Sequence, residues 1–209
     1  MWFIMSFKLE NNKNNMYIAR SNYDLKLLVN KEDIHLKDID ISFVTDLSNV
    51  FAGFDFSKVD ANELNTWNVS KVLDMHGLFA RAKNFNADLS NWDVSSVTDM
   101  SNLFSGCKDF NSDLSKWNVN QVENFSNMFC GCEKFNANLS AWKVNQGKNF
   151  DFMFYGCKEF NQDLNDWKIS LLKAHAEKMF GLAVHFCHDL KKWNLSEAEK
   201  NKLGLHNLI

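Results

Sequence analysis

Residues 90–111 read SNWDVSSVTDMSNLFSGCKDFN, and residues 115–136 read SKWNVNQVENFSNMFCGCEKFN. The two stretches agree at the bulky apolar positions and differ mainly between them. Self-similarity at this length marks stacked units, none of which buries its apolar face until a neighbour lies against it. Trp67, Trp92, Trp117, Trp142 and Trp167 follow one another at 25 residues, and Trp193 comes 26 later. IDISFVTDLSNVF (39–51) matches WDVSSVTDMSNLF (92–104), so Ile39 opens the array and the repeat covers about 39–196.

Further columns keep the same period. Leu64, Leu89, Leu114, Leu139, Leu164 and Leu190 stand three residues before each tryptophan, and Val69, Val94, Val119, Val144, Ile169 and Leu195 two after it. Phe79, Phe104, Phe129 and Phe154 form one aromatic series; Phe85, Phe110, Phe135 and Phe160 form a second. These columns are the expected core. Val97, Met100, Leu103 and Phe104 have the spacing of an amphipathic helix, with Ser95 or Ser96 to cap it and Gly106 to end it. FNADLSNW (85–92) alternates apolar and polar residues as a strand does. The expected fold is therefore α/β: a leucine-rich-repeat-like solenoid of about six 25-residue units, each a short strand plus a short helix, with a parallel sheet along one side and terminal caps. Residues 1–38 form the N-terminal cap in this reading, 39–195 the array and 196–209 a C-terminal capping helix. Within the first cap, MYIAR (16–20) reads as a strand and SNYDLKLLVNK (21–31) as a capped helix with Leu25, Leu27 and Leu28 facing inward.

Composition narrows the function. Twenty-three basic residues against 26 acidic ones give a net charge of -3, so no general attraction to nucleic acid is expected. No run of about 18 apolar residues occurs, which argues against a membrane span. MWFIMSFKLENNKNN (1–15) lacks the basic start, long apolar core and cleavage site of a secretory signal, which leads to a cytoplasmic expectation. Five cysteines are an odd number, and Cys107, Cys132 and Cys157 share the 25-residue period, so they read as buried wall thiols. Asn86, Asn111, Asn136 and Asn161 make a series suited to bonding turn backbone and one another. Glu63, Asp88, Asp113, Asn138, Asp163 and Asp189 read as a solvated ladder or a turn-capping column.

The W-[DN]-V-[SN]-x-V opening, the DMSNLF segment, the Gly-Cys pair and the FNxDLS segment together resemble the repeats of BspA-like leucine-rich repeat surface proteins, also described as a Mycoplasma-type repeat of unknown function. The resemblance spans some three quarters of the chain. It implies a repeat fold and, for exported members, a place at the cell surface and a role in adhesion or host-protein binding. It implies no reaction.

Chemistry is hard to find. His185, Cys187 and His188 are the nearest approach to a metal cluster, but such tight spacing rarely converges on one centre and no second ligand pair is present. Cys130 and Cys132 are separated by one residue, unlike redox or zinc motifs. No nucleophile elbow, zinc-protease motif or P-loop occurs. His76 and His175 belong to distant repeats. No enzyme activity, metal or cofactor is expected. The columns that vary are those flanking the tryptophans, and they supply the candidate partner-binding residues: Asn91, Lys116 and Asp166 on one side, Asp93, Asn118, Lys143 and Lys168 on the other. The expectation is a non-enzymatic protein-protein interaction array that contacts a protein partner through this strip; self-association into a structural assembly is the rival.

Overall fold

The computed structural model describes residue 14, residues 16–171 and residues 173–205. The leader reading of residues 1–15, the first part of the N-terminal cap and the end of the C-terminal helix at 206–209 lie outside these residues, apart from residue 14. Successive 25-residue units lie against one another in parallel, and the contact is made by a ribbon of turns. In the unit that follows Trp92, the amides of Met100, Asn102, Phe104 and Gly106 donate to the carbonyls of Asn124, Ser126, Met128 and Cys130 in the next unit, at 3.0, 2.8, 2.9 and 2.7 Å. The amides between them turn back on their own unit: Leu103, Ser105 and Cys107 donate to Met100, Asn102 and Phe104, three residues earlier. The same alternation begins at Leu47, Met75, Phe125 and Phe150.

This ribbon stands where the spacing of Val97, Met100, Leu103 and Phe104 predicts a helix. All four side chains are buried, so the periodicity reports the inward face correctly. The backbone reaches that face by another route. Two residues per unit adopt left-handed φ, Asn102 at 57° and Gly106 at 77° in this one, and each breaks the run of right-handed turns a helix needs. Asn49, Gly77, Asn127, Phe152 and Lys178 fill the first of these columns elsewhere, and Gly53, Arg81, Gly131, Gly156 and Leu182 the second. Amides committed to the next unit are unavailable to a helix, and they leave proline no place within the ribbon.

Residues 85–92 likewise alternate between buried and exposed without forming a strand. Their backbone is held by side chains. The Trp92 indole donates to the carbonyl of Leu64 at 3.0 Å, and Trp67, Trp117, Trp142, Trp167 and Trp193 do the same to the leucine one unit earlier. Asparagine carbonyl oxygens accept from the next unit's backbone: Asn86 from Asn111, Asn111 from Asn136, Asn136 from Asn161, at 2.8–2.9 Å. Between these rows the core is a column of phenylalanines. Phe51, Phe79, Phe104, Phe129, Phe154 and Phe180 stack with centroids 5.6–5.7 Å apart. A second column, Phe85 to Phe186, rests beside it. Cys107, Cys132 and Cys157 are buried, each donating its thiol to the phenylalanine carbonyl of the preceding unit at 2.9–3.0 Å. Burial pushes the Cys107 thiol up to about 12 and the other two well above the ordinary value.

Regular elements sit at the two ends. Strand β1 (Tyr17–Ile18) pairs in parallel with β2 (Ile39–Asp40), and helix α1 (Asn22–Val29) follows β1, with Ser21 accepting from the Asp24 amide at its start. Leu25 and Leu28 are buried, whereas Leu27 is only half-buried. The Asn22 side chain donates to the carbonyls of Asp46 and Ser48, which have no earlier unit to serve. At the other end, helix α2 (Glu197–Leu203) opens with a reciprocal Ser196–Glu199 cap. Its last carbonyls, on Lys202 and Leu203, accept from Lys178 and Phe180 and so continue the ladder.

Candidate functional site

The residues flanking the tryptophans are exposed along the whole array, because the indole between them is drawn inward by its bond to the preceding unit. Their roles differ. Asp93 accepts from the Ser95 amide at 3.1 Å, and Asn118 from the Asn120 amide at 3.2 Å. Asp40 and Asn68 do the same for Ser42 and Ser70. Side-chain and backbone hydrogen bonds from Ser95 hold the Asp93 carboxyl below its usual range. The column is thus a series of Asx turns, in which a short carbonyl side chain satisfies an amide two residues on. Lysine carries no acceptor, so at Lys143 and Lys168 the pattern stops. Both are exposed, and among the described residues neither makes an ion pair. They stand one unit apart, so their backbones are separated by about 5 Å and two like charges project side by side.

On the other side of the tryptophans, Asp166 is paired with Lys192 at 2.8 Å. Asn91 and Lys116 are exposed, and Lys116 borders a 400 Å³ cleft that it shares with Asp88, Asp113 and Asn86. Of the seven candidates, Asp93, Asn118 and Asp166 have structural partners, and Lys143 with Lys168 form the adjacent pair that has none.

Two further Asx columns explain the acidic series. Asp88, Asp113, Asn138, Asp163 and Asp189 accept from the amide two residues later, at 2.8–3.2 Å, which makes them turn caps. Glu63 departs from the series and pairs with His35 at 3.2 Å. The second column, Asp46, Asp74, Asp99, Asn124 and Asn149, opens each ribbon.

The cluster near the C-terminus does not converge. His185 faces Glu159 at 3.2 Å, His188 faces the Asn161 carbonyl, and the Cys187 amide donates to the Asn161 side chain. Among the described residues no group of three or more His, Cys, Asp or Glu is placed to hold a metal ion. His76 bonds Ser101 in the adjoining unit at 2.7 Å, while His175 closes a bridge with Asn149 four units along. Among the described residues no helix is long and apolar enough to cross a membrane.

A further flank was not foreseen. At the corners after three successive ribbons, charges alternate in both columns: Lys108–Asp109, then Glu133–Lys134, then Lys158–Glu159. Lys108 and Lys158 both reach Glu133, at 3.4 and 2.6 Å, and Lys134 reaches Asp109 at 2.5 Å. The signal was present as a sign reversal every 25 residues, visible only once the units are aligned.

One family model matches the chain, at residues 16–132 and again at 113–207; its description is a Mycoplasma protein of unknown function, DUF285. The chain belongs to this family. The two matched stretches join near the middle of the array and between them take in every tryptophan from Trp67 to Trp193. No curated protein and no solved structure matches the chain.

Proposed function

We propose that the chain is a non-enzymatic solenoid, of the leucine-rich-repeat-like kind found in BspA-like surface proteins, that binds a protein partner along the strip beside its tryptophans. The observation that carries this reading is the exchange of a turn-capping Asp or Asn for lysine at two successive units. Capping contacts of this sort contribute on the order of 1 kcal/mol each. Giving up two of them, and setting two cations side by side, is a loss for the fold that a partner's acidic groups offset. The unit-to-unit spacing holds these charges at a fixed interval, which is how repeat surfaces accumulate many modest contacts. Adhesion or binding of a host protein is the form this takes if the chain is displayed outside the cell.

The test is a pulldown with the full chain and with Lys143→Glu/Lys168→Glu, using Lys71→Glu as a control on another column. The proposal expects a partner retained by the control and lost by the double reversal. Retention by all three proteins refutes the strip. Light scattering over a range of concentrations tests the rival, self-association: a mass that stays at one chain removes it.

A further inference from the structure

The charge alternation fails at one corner. Where Lys108, Glu133 and Lys158 change sign at each step, the preceding place holds Lys83, a second cation next to Lys108. Two residues earlier stands Arg81, in the column that Gly53, Gly106, Gly131 and Gly156 fill elsewhere and that Leu182 fills in the last unit. Arg81 has φ 57°, a conformation that glycine adopts freely and that strains a residue carrying a Cβ. Its stem lies across Gly106, where a Cβ would meet Arg81 Cγ at 3.2 Å.

The hydrogen-bond ladder fails at the same corner. In the two following units the amides of Lys134 and Glu159 donate to the carbonyls of Lys108 and Glu133, both at 3.1 Å. The corresponding bond, from the Asp109 amide to the Lys83 carbonyl, is not made; that carbonyl accepts from Phe56 at 3.0 Å. Among the described residues the amide of exposed Asp109 has no protein acceptor. A cleft of 350 Å³ opens there, lined by Arg81, Lys83, Asn84, Gly106, Lys108 and Asp109. Its acidic member is engaged, since the Asp109 carboxylate is bound by Lys134. Asp55, the acid near Lys83, is occupied by the Ser57 amide and the Asn84 side chain. Among the described residues Arg81 and Lys83 make no ion pair within 4 Å.

We propose that this corner binds a phosphate-type oxyanion, held by Arg81, Lys83 and the amide of Asp109. A guanidinium, an ammonium and a backbone N–H carried by residues that line one cleft are the donors that such an anion takes, and two neighbouring cations there are offset by a ligand that neutralises them. The site is separate from the strip beside the tryptophans and stands or falls without it.

Inorganic phosphate is titrated into the full chain, with sodium chloride at matched ionic strength as the control. The Asp109 amide is followed by nitrogen–proton NMR and the heat by calorimetry. Saturable movement of that resonance with phosphate and not with chloride is expected. Arg81→Gly restores the residue of the sibling units, so it is expected to melt no lower than the parent while binding phosphate about tenfold or more weakly. Lys83→Gln removes the ammonium without setting a carboxylate opposite Asp55 and gives a second reading, with the same loss expected. Phenyl phosphate run alongside separates an ester ligand from the free anion by which of the two binds more tightly. No movement at Asp109 up to tens of millimolar phosphate, an equal response to chloride, or unchanged affinity in either variant overturns the proposal.

Discussion

Replacing Trp142 with Phe isolates the inter-unit indole bond. Trp142 is 2% exposed, its indole donates to the Leu114 carbonyl at 3.0 Å, and its ring stacks on Trp167 at 6.2 Å. Phenylalanine keeps an aromatic ring but removes the N–H and leaves a small void. The Leu114 carbonyl also accepts from the Trp117 amide at 3.0 Å, so it loses one of two partners and the bond is worth about 1 kcal/mol. The void adds about 1–2 kcal/mol. At roughly 2–4 °C per kcal/mol for a chain of this size, the melting temperature should fall by about 5–10 °C. Trp193→Phe is the internal standard. Its indole makes the same bond, to Leu164 at 3.0 Å, but at a half-buried position where water replaces the lost donor, so the cost should stay under about 1 kcal/mol. Urea unfolding followed by circular dichroism gives both values. Equal losses in the two variants, or a loss under about 1 kcal/mol at Trp142, would refute burial as the factor that sets the bond's worth.

Thiol reactivity should separate the cysteines into classes: a disulfide reagent at pH 8 is expected to modify exposed Cys187 first and half-buried Cys130 more slowly, leaving Cys107, Cys132 and Cys157 untouched until denaturant is added. Gly131→Ala should lower stability by on the order of 1 kcal/mol through its φ of 73° alone, since the new methyl would meet nothing closer than Gly106 Cα at 3.8 Å; thermal melts check this. The amides of Ser90, Ser115 and Asn165 donate to the charged carboxylates of Asp88, Asp113 and Asp163 and hold them below the ordinary value of 3.8. Stability from these turns is therefore complete above that value and is lost as pH falls through the lowered folded values. Changing all three to Asn, the residue that already serves at Asn138, should flatten the acid side of a melting-temperature-versus-pH profile while leaving neutral pH nearly unchanged.

The period, the buried columns and the capping helices were legible in the sequence because each rests on a short-range rule: 25-residue recurrence, side-chain size, and Ser21 or Ser196 ahead of an apolar run. The backbone path between them was not. Val97, Met100, Leu103 and Phe104 face inward at helical spacing, and the Asn or Gly that recurs at the places of Asn102 and Gly106, with Phe152, Lys178, Arg81 and Leu182 as exceptions, is the sign of a turn ribbon in place of a helix. FNADLSNW has strand alternation but bonds through Asn86 and Trp92 side chains, which no backbone propensity encodes. For the candidate strip, exposure beside the tryptophans followed from the alternation. The division between capping residues such as Asp93 and unengaged ones such as Lys143 depends on partners two residues away in a turn, which side-chain alternation does not report. The Arg81 corner was marked by an arginine in a glycine column, a signal that carries meaning only once that column is known to be left-handed.

The alternating charges at Lys108–Asp109, Glu133–Lys134 and Lys158–Glu159 also bear on how such a gene changes length. Excising one unit from the middle would set Lys108 against Lys158 and Asp109 against Glu159, replacing attraction by repulsion in both files at once. Duplicating two neighbouring units of these three leaves every new contact of opposite sign. Along this flank the molecule keeps parity, and recombination that preserves it should lengthen the array in pairs.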